Sequence, residues 1–297
     1  MRNGVPLVSI GMPVRNCQGT LDAAVRSIVQ QTFTDWELLL IDDGSTDDTL
    51  AIARRYRDPR IRLTSESNSL GLAVRLNEAI AASRGGLFAR MDGDDIAYPW
   101  RFERQVECLE RNPDVVLTGA AVVVFGRAGV ALGKRTAEGA HEAICATPRA
   151  GFGIVHPTFV GRLGWFRRWQ FEPGAGPCCD QDLLLRAYTE SRFTNVPAIL
   201  LGYREESIRL RRLLAYRLRF SRSLLRRYGK SNRLLALRSA AAQAAKGLVD
   251  CIAVCSGLKY RLLQHRAQPL TPEEREEWDC VWNSVHSAEG LAGRIRE

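Results

Sequence analysis

No window of about 18 uninterrupted apolar residues occurs in this 297-residue chain, so a membrane-spanning helix is not expected. The longest candidates are Val115–Phe125, which reads as a strand, and Gly247–Leu258, which Asp250 interrupts. The eight cysteines (Cys17, Cys108, Cys145, Cys178, Cys179, Cys251, Cys255 and Cys280) form no Cys-x-x-Cys pair, and no His–Cys cluster has zinc spacing. Scattered thiols of this kind fit a reduced, cytosolic protein, and the adjacent pair Cys178-Cys179 reads as packing rather than redox chemistry. Met1–Pro6 runs straight into a strand pattern and leaves no room for the apolar core of a signal peptide. Also missing is a glycine-rich turn after the first strand. Pro13-Val14-Arg15-Asn16 stands there instead, which argues against both a dinucleotide oxidoreductase and a sugar nucleotidyltransferase.

What is present begins with apolar content: 45% of the residues are hydrophobic, enough for a substantial core. The net charge of +9 is unevenly placed. Between Arg209 and Lys230 lie nine basic residues and no acidic one, so that tract alone equals the excess and the rest is close to neutral.

The first ninety residues alternate strand and helix. Leu7–Met12 is an apolar run ending at Pro13, and Thr20–Gln31 carries helical spacing. Trp36–Ile41 is a second buried strand, and a helix capped by Thr46–Thr49 runs to about Tyr56. Ile61–Ser65, Leu72–Ala82 and Leu87–Met91 continue the series as strand, helix and strand. Such alternation predicts a parallel sheet covered on both faces. Beyond Asn112 the pattern changes to a hairpin over Val115–Gly133, a long loop to Gly153 with a short helix, a helix over Gln181–Thr189 and a strand over Phe193–Leu201. After Glu205 the chain reads as helical nearly to its end, with a break around Pro269–Pro272. The domain boundary is expected near residue 205.

Ligands of open α/β sheets bind where strands end at their carboxyl edge. Three acidic clusters fall at such ends or at a helix start: Asp42-Asp43, Asp92-Gly93-Asp94-Asp95 and Asp180-Gln181-Asp182. Carboxylates crowded at a rigid strand tip repel unless a cation compensates, and Mg²⁺ or Mn²⁺ would accept those oxygens while keeping positions for phosphate. A solvated acidic turn that caps the next helix is the plainer alternative. Turn and N-cap chemistry likewise explains Gly44, Ser45 and Thr46, but not two acids directly after the apolar run Leu38–Ile41 of a strand.

The ordered motifs V-S-I-G-M-P-V-R-N, W-E-L-L-L-I-D-D-G-S-T-D, N-S-L-G-L-A-V-R-L-N, M-D-G-D-D and C-D-Q-D-L-L-L-R, with H-P-T and Y-R in their usual places, resemble the inverting family-2 glycosyltransferases. The likeness covers about residues 6–206, and the joint order is more specific than any one motif. It implies an α/β fold of GT-A type, Rossmann-like, with a mostly parallel sheet flanked by helices over residues 1–205 and a basic helical region over 206–297. It implies metal-dependent transfer from a nucleotide sugar, UDP- or dTDP-linked, to a sugar or lipid-linked acceptor. Pro13 and Val14 would lie against the nucleotide, Asp43 would bond the base, and Arg75 would approach both the base and the second acidic cluster. Asp94 would contact the ribose and help hold the metal, and Asp95 would be the direct ligand. Asp92 fits a structural partner of Arg75 or Arg90. Asp180 matches the general base, six residues before Arg186, with Asp182 the competitor.

This sequence departs from the family where Cys179 replaces the usual Glu before the base. That removes a neighbouring negative charge and leaves open a degenerate, non-catalytic nucleotide-sugar-binding module. His156 is a candidate for the diphosphate or acceptor, or simply a loop histidine. Trp165, Trp169 and Phe171 in the Gly161–Gly176 loop could stack on an acceptor sugar or pack beneath the loop. The tract 209–230 makes an amphipathic cationic helix, suited either to an anionic membrane surface or to packing on its own domain with a solvated arginine face. No nucleic-acid reader module is present.

Overall fold

The computed structural model describes residues 4–205, 210–256 and 267–287. Four β-strands follow the alternation closely: β1 (Val8–Val14), β2 (Trp36–Asp43), β3 (Ile61–Glu66) and β4 (Leu87–Arg90). The helices between them are α1 (Leu21–Val29), α2 (Thr49–Ala53) and α3 (Leu72–Ala82). Every residue of β1, β2 and β4 is buried, as expected of strands covered on both faces. Helix α2 is shorter than expected: Asp47, rather than a regular N-cap, takes the Thr49 N–H, and the helix stops at Ala53.

Beyond Arg90 the sheet becomes mixed. Strand β5 (Ile96–Ala97) and helix α4 (Arg101–Arg111) precede a long β6 (Val115–Phe125) and β7 (Ala131–Arg135). A short α5 (His141–Ile144), β8 (Val160–Arg162), α6 (Leu163–Trp169), α7 (Cys179–Ala187) and β9 (Arg192–Arg204) complete the sheet half. The strand order is β3-β2-β1-β4-β8-β6-β9-β5, with β7 paired to β6. Strands β1 to β4 and the β6–β9 pair are parallel, whereas β8 runs antiparallel to both β4 and β6. The chain leaves β1 for β2 and β3 on one side, then returns to β4 on the other. The switch point therefore falls between β1 and β4.

Helix α6 replaces the loop expected around Gly161–Gly176. Trp165 and Phe171 are buried in the core with Phe166 and Phe193, so packing, not sugar stacking, accounts for them.

Among the described residues three further helices follow: α8 (Leu210–Tyr228), α9 (Arg233–Cys255) and α10 (Pro272–His286). Helix α8 lays Phe220, Ser223 and Leu224 onto the α/β part of the chain, and α9 returns antiparallel along it. Arg209, the first basic residue of the expected cationic helix, lies outside the described residues. Helix α10 starts with a capping box between Thr271 and Glu274 and turns back to the sheet. Its Trp278 is fully buried against Phe125 and Tyr98, over Gly202, where a Cβ would come within 2.3 Å of the indole.

Candidate active site

The ends of β1, β2 and β4 lie side by side because β1 pairs with both neighbours, Val14 opposite Asp42 and Gly11 opposite Arg90. Pro13 and Val14 thus form a wall between the two acidic strand ends. Gly93 lies so close to that wall that a Cβ there would meet the Val14 Cγ1 at 2.6 Å. The Thr20 hydroxyl donates to the Gly93 carbonyl at 2.8 Å, tying the start of α1 to the acidic loop.

On the β2 side, Asp43 is buried and Arg75 has a relative exposure of only 2%. The Asp43 Oδ1 accepts from Arg75 Nε at 2.7 Å and from the Leu70 N–H at 2.8 Å. Its Oδ2 accepts from the Ser69 hydroxyl at 2.8 Å and the Gly71 N–H at 2.9 Å. Burial opposes ionisation of Asp43, but these donors, Arg75 foremost, outweigh it and hold the carboxyl below the usual range. Arg75 spends its other nitrogens on Glu78 and the Asn68 carbonyl. Among the described residues it makes no hydrogen bond to the second acidic cluster. It organises the 68–71 loop around Asp43 instead, because the first turn of α3 faces the end of β2.

Asp92, Asp94 and Asp95 each offer a carboxylate oxygen within 4.8 Å of the others. Asp92 is bonded by Arg90. Asp95 is buried; its Oδ1 accepts the Arg204 N–H at 2.8 Å, while its Oδ2 is buried with no hydrogen-bond partner among the described residues. Burial and the charges of Asp94 and Asp92 push the Asp95 carboxyl well above the ordinary value. Burial and the Asp92 charge push Asp94 up to about 6. A buried, partnerless carboxylate oxygen beside two more carboxylates fits a hard divalent cation, so these residues suit Mg²⁺ or Mn²⁺.

Asp180 stands in the first turn of α7 with Oδ2 accepting from Gln181 Nε2 at 3.1 Å. Burial raises its pKa. Its competitor Asp182 is committed elsewhere: one oxygen takes the Ser223 hydroxyl of α8 at 2.6 Å, the other takes Arg186 Nε at 2.8 Å. Arg186 also clamps the carbonyls of Trp169 and Gln170, both at 2.6 Å, so it braces the α6–α7 connection. Cys179 is buried under Asp180 and its thiol is pushed up by burial and by the Asp180 charge. Cys178 is equally buried and donates to the Ala175 carbonyl, so the pair packs.

Sequence reasoning undervalued Arg90. The guanidinium is buried, and its Nε and Nη1 have no hydrogen-bond partner among the described residues. Its charge acts on Asp92 and Asp95 and also on Asp180, which brings the two acidic sites within one electrostatic neighbourhood. It also acts on His156, whose ring sits between Phe159 and Phe171 with an unpartnered Nε2. Burial, reinforced by Arg90, holds that imidazole neutral, well below its usual pKa. Arg101 was missed altogether. It is fully buried, bonds the carbonyls of Arg90 and Pro157 at 2.8 Å each, and so pins the end of β4 to the H-P-T turn. Burial pushes its pKa down to about 9. The signal available was a basic residue at the start of a segment whose Phe102, Val106 and Leu109 recur at helical spacing.

An open sheet whose switch point gathers acidic strand ends, with a mixed extension and a further helix-borne acid, is the architecture of GT-A glycosyltransferases. S. aureus TarS 1-349 in complex with UDP shares the fold with a TM-score of 0.59 at 16% identity, over 95% of this chain and 82% of that one. The sequence model of glycosyl transferase family 2 matches residues 9–168, more than half of the chain, and the chain belongs to that family. EpsE of Bacillus subtilis (strain 168) is 40% identical over 131 residues, 43% of this chain and 47% of that protein. The Escherichia coli UDP-Glc:alpha-D-GlcNAc-diphosphoundecaprenol beta-1,3-glucosyltransferase WfgD is 36% identical over 106 residues, 36% of this chain and 42% of that protein. The matches span less than half the length of these relatives.

Proposed function

We propose that this glycosyltransferase moves a sugar from a UDP- or dTDP-linked donor to an acceptor hydroxyl with inversion at the anomeric carbon, in surface polysaccharide or glycan synthesis. The observation that carries the reading is the Asp95 carboxylate, held on one oxygen by a backbone N–H and left partnerless on the other beside Asp94 and Asp92. A divalent cation bound there would neutralise the diphosphate and act as a Lewis acid toward the leaving group.

The chain's own groups supply the remainder. Val14 and Pro13 give the nucleotide an apolar wall, and Asp94 meets the ribose. Asp43 addresses the base by exchanging the Ser69 hydroxyl, the one donor among its four that is neither backbone nor buried. Asp180 takes the proton of the acceptor hydroxyl as that oxygen forms its bond to the anomeric carbon; the bond to the diphosphate oxygen breaks on the opposite face. Burial raises its pKa, which strengthens it as a base. Asp182 is the lesser candidate because both its oxygens are occupied. His156, neutral and unpartnered, is suited to donate to the diphosphate or the acceptor.

The diphosphoundecaprenol acceptor in the name of WfgD supports a sugar or lipid-linked acceptor here. Eight free thiols suit a cytosolic setting, and the cationic α8 suits the inner face of an anionic membrane. We keep residues 1–205 as the catalytic unit and 206–297 as its helical extension. The test is a screen of nucleotide sugars with Mn²⁺ or Mg²⁺, read as donor hydrolysis and as thermal stabilisation. A metal-dependent response to one UDP- or dTDP-sugar is expected; stabilisation without hydrolysis would leave a binding module without catalysis, and no response to any donor would overturn the reading.

A further inference from the structure

Helix α9 packs the wrong way round for a helix that serves only its own fold. The side turned to α8 carries Ala236, Ser239, Gln243, Gly247, Asp250 and Ala253, which are small or polar. Arg217 of α8 bonds Asp250 at 3.1 Å and Gln243 at 3.0 Å, and Gly247 lets Leu214 approach to 3.5 Å of where a Cβ would be. The large apolar side chains lie on the opposite side. Leu234, Leu237, Leu248, Val249 and Ile252 are 59–63% exposed, and the exposed Ala241 and Ala245 fill the spacing between them. Residues three, four or seven apart share a helical face, so this is one stripe about 27 Å long.

The surroundings select the occupant. Residues 210–255 carry eleven basic side chains and one acid, Asp250, which Arg217 engages. Subtracting one from eleven gives +10 on this hairpin, more than the +9 of the whole chain. Leu214, Leu218 and Leu225 add exposed apolar surface on α8 among Arg211, Arg222 and Arg226. Two copies joined through this face would bring two such charges together at a distance where salt screens them poorly. An anionic lipid surface complements both properties, with headgroups for the arginines and an acyl boundary for the stripe. None of the described helices is long and apolar enough to cross a membrane, so the contact is interfacial.

We infer that the stripe Leu234–Ile252 of α9 inserts into the headgroup–acyl boundary of an anionic bilayer, with the α8 arginines as its electrostatic partner. The inference rests on the membrane reading of α8 and adds a different helix and a different force to it; it does not depend on the transfer chemistry. The test uses the full chain without nucleotide sugar, co-sedimented with vesicles of phosphatidylcholine alone or with phosphatidylglycerol. Binding to the anionic vesicles is expected, weakened but not abolished by high salt, because the apolar contact is unscreened. The exposed triple variant Leu237→Gln, Leu248→Gln, Ile252→Gln should keep the wild-type melting temperature and lose binding by about tenfold or more. Arg211→Gln with Arg222→Gln should lower binding chiefly at low salt.

Retention of full affinity by the triple variant would overturn the inference while leaving an α8-only membrane contact standing. Absence of wild-type binding to anionic vesicles would overturn both. A concentration-dependent dimer in solution that the triple variant abolishes would also overturn it, making a second copy the occupant. Donor hydrolysis measured on the same preparations separates these outcomes from failure of the transferase reading.

Discussion

The β1–β4 half and the α8–α9 hairpin solve opposite problems with charge. At the switch point, carboxylates are crowded around the buried Asp95, where burial and mutual repulsion make ionisation costly. On the hairpin, arginines are spread over solvent, where each is cheap, and the apolar side chains are exposed instead. Under the proposed function the first arrangement is a small, specific site for a cation and a diphosphate; the second is a broad surface of low specificity. Function that depends on geometry should therefore fail on single substitutions in the first region and resist them in the second.

The largest effect should come from the acids. Asp95→Asn is expected to lower transfer by about a thousandfold or more, with Asp180→Asn lowering it by roughly 10²–10⁴ as befits a lost base. A metal-supplemented donor-transfer assay reads both, and Asp95→Asn should not lower the metal-free melting temperature, since it removes a buried charge. Next is Trp278→Ala, which should destabilise by about 3–5 kcal/mol in denaturant unfolding because the indole fills the core over Gly202. A loss below 1 kcal/mol would mean that α10 is only loosely attached.

A third effect concerns pH. Asp94 has a folded-state pKa of about 6 against an ordinary 3.8, and Asp95 is raised further. Between those values the folded chain holds more protons than the unfolded one, so stability is present at low pH and is lost as pH rises through 6. Metal-free melting temperature should therefore fall from pH 5 to pH 7, and Mn²⁺ should restore it most at the higher pH. A flat profile would show that the acids are not crowded. The smallest effect should be that of Arg222→Gln with Arg226→Gln, within about 0.5 kcal/mol in unfolding and neutral toward a soluble acceptor.

Much of the first region was legible because its signals are local. Strand β2, apolar over Leu38–Ile41, ends abruptly in acids, and Arg90 is one of the two partners, with Arg75, that the sequence offers Asp92. The rest depends on partners distant in sequence. Strand β8 is three residues long and is a strand only because β4 and β6 flank it. Strand β9 runs to Arg204 past Pro197 by shifting register against β6, which no period-two pattern anticipates. Arg75 and Arg101 look like surface helix arginines until tertiary contacts bury them, and Trp165 and Phe171 could not be allotted to core or sugar without seeing α6. On α9 the apolar spacing was readable, but which side of the helix the fold would cover was not.

The grip of Arg204 on Asp95 is made by a peptide N–H. No substitution at position 204 short of proline deletes that donor, so the orientation of the Asp95 carboxylate is inherited from the strand path rather than from any neighbouring side chain. Residues around the proposed site can then drift toward new donors or acceptors while the Asp95 carboxylate stays put, which makes this a scaffold tolerant of evolutionary retuning.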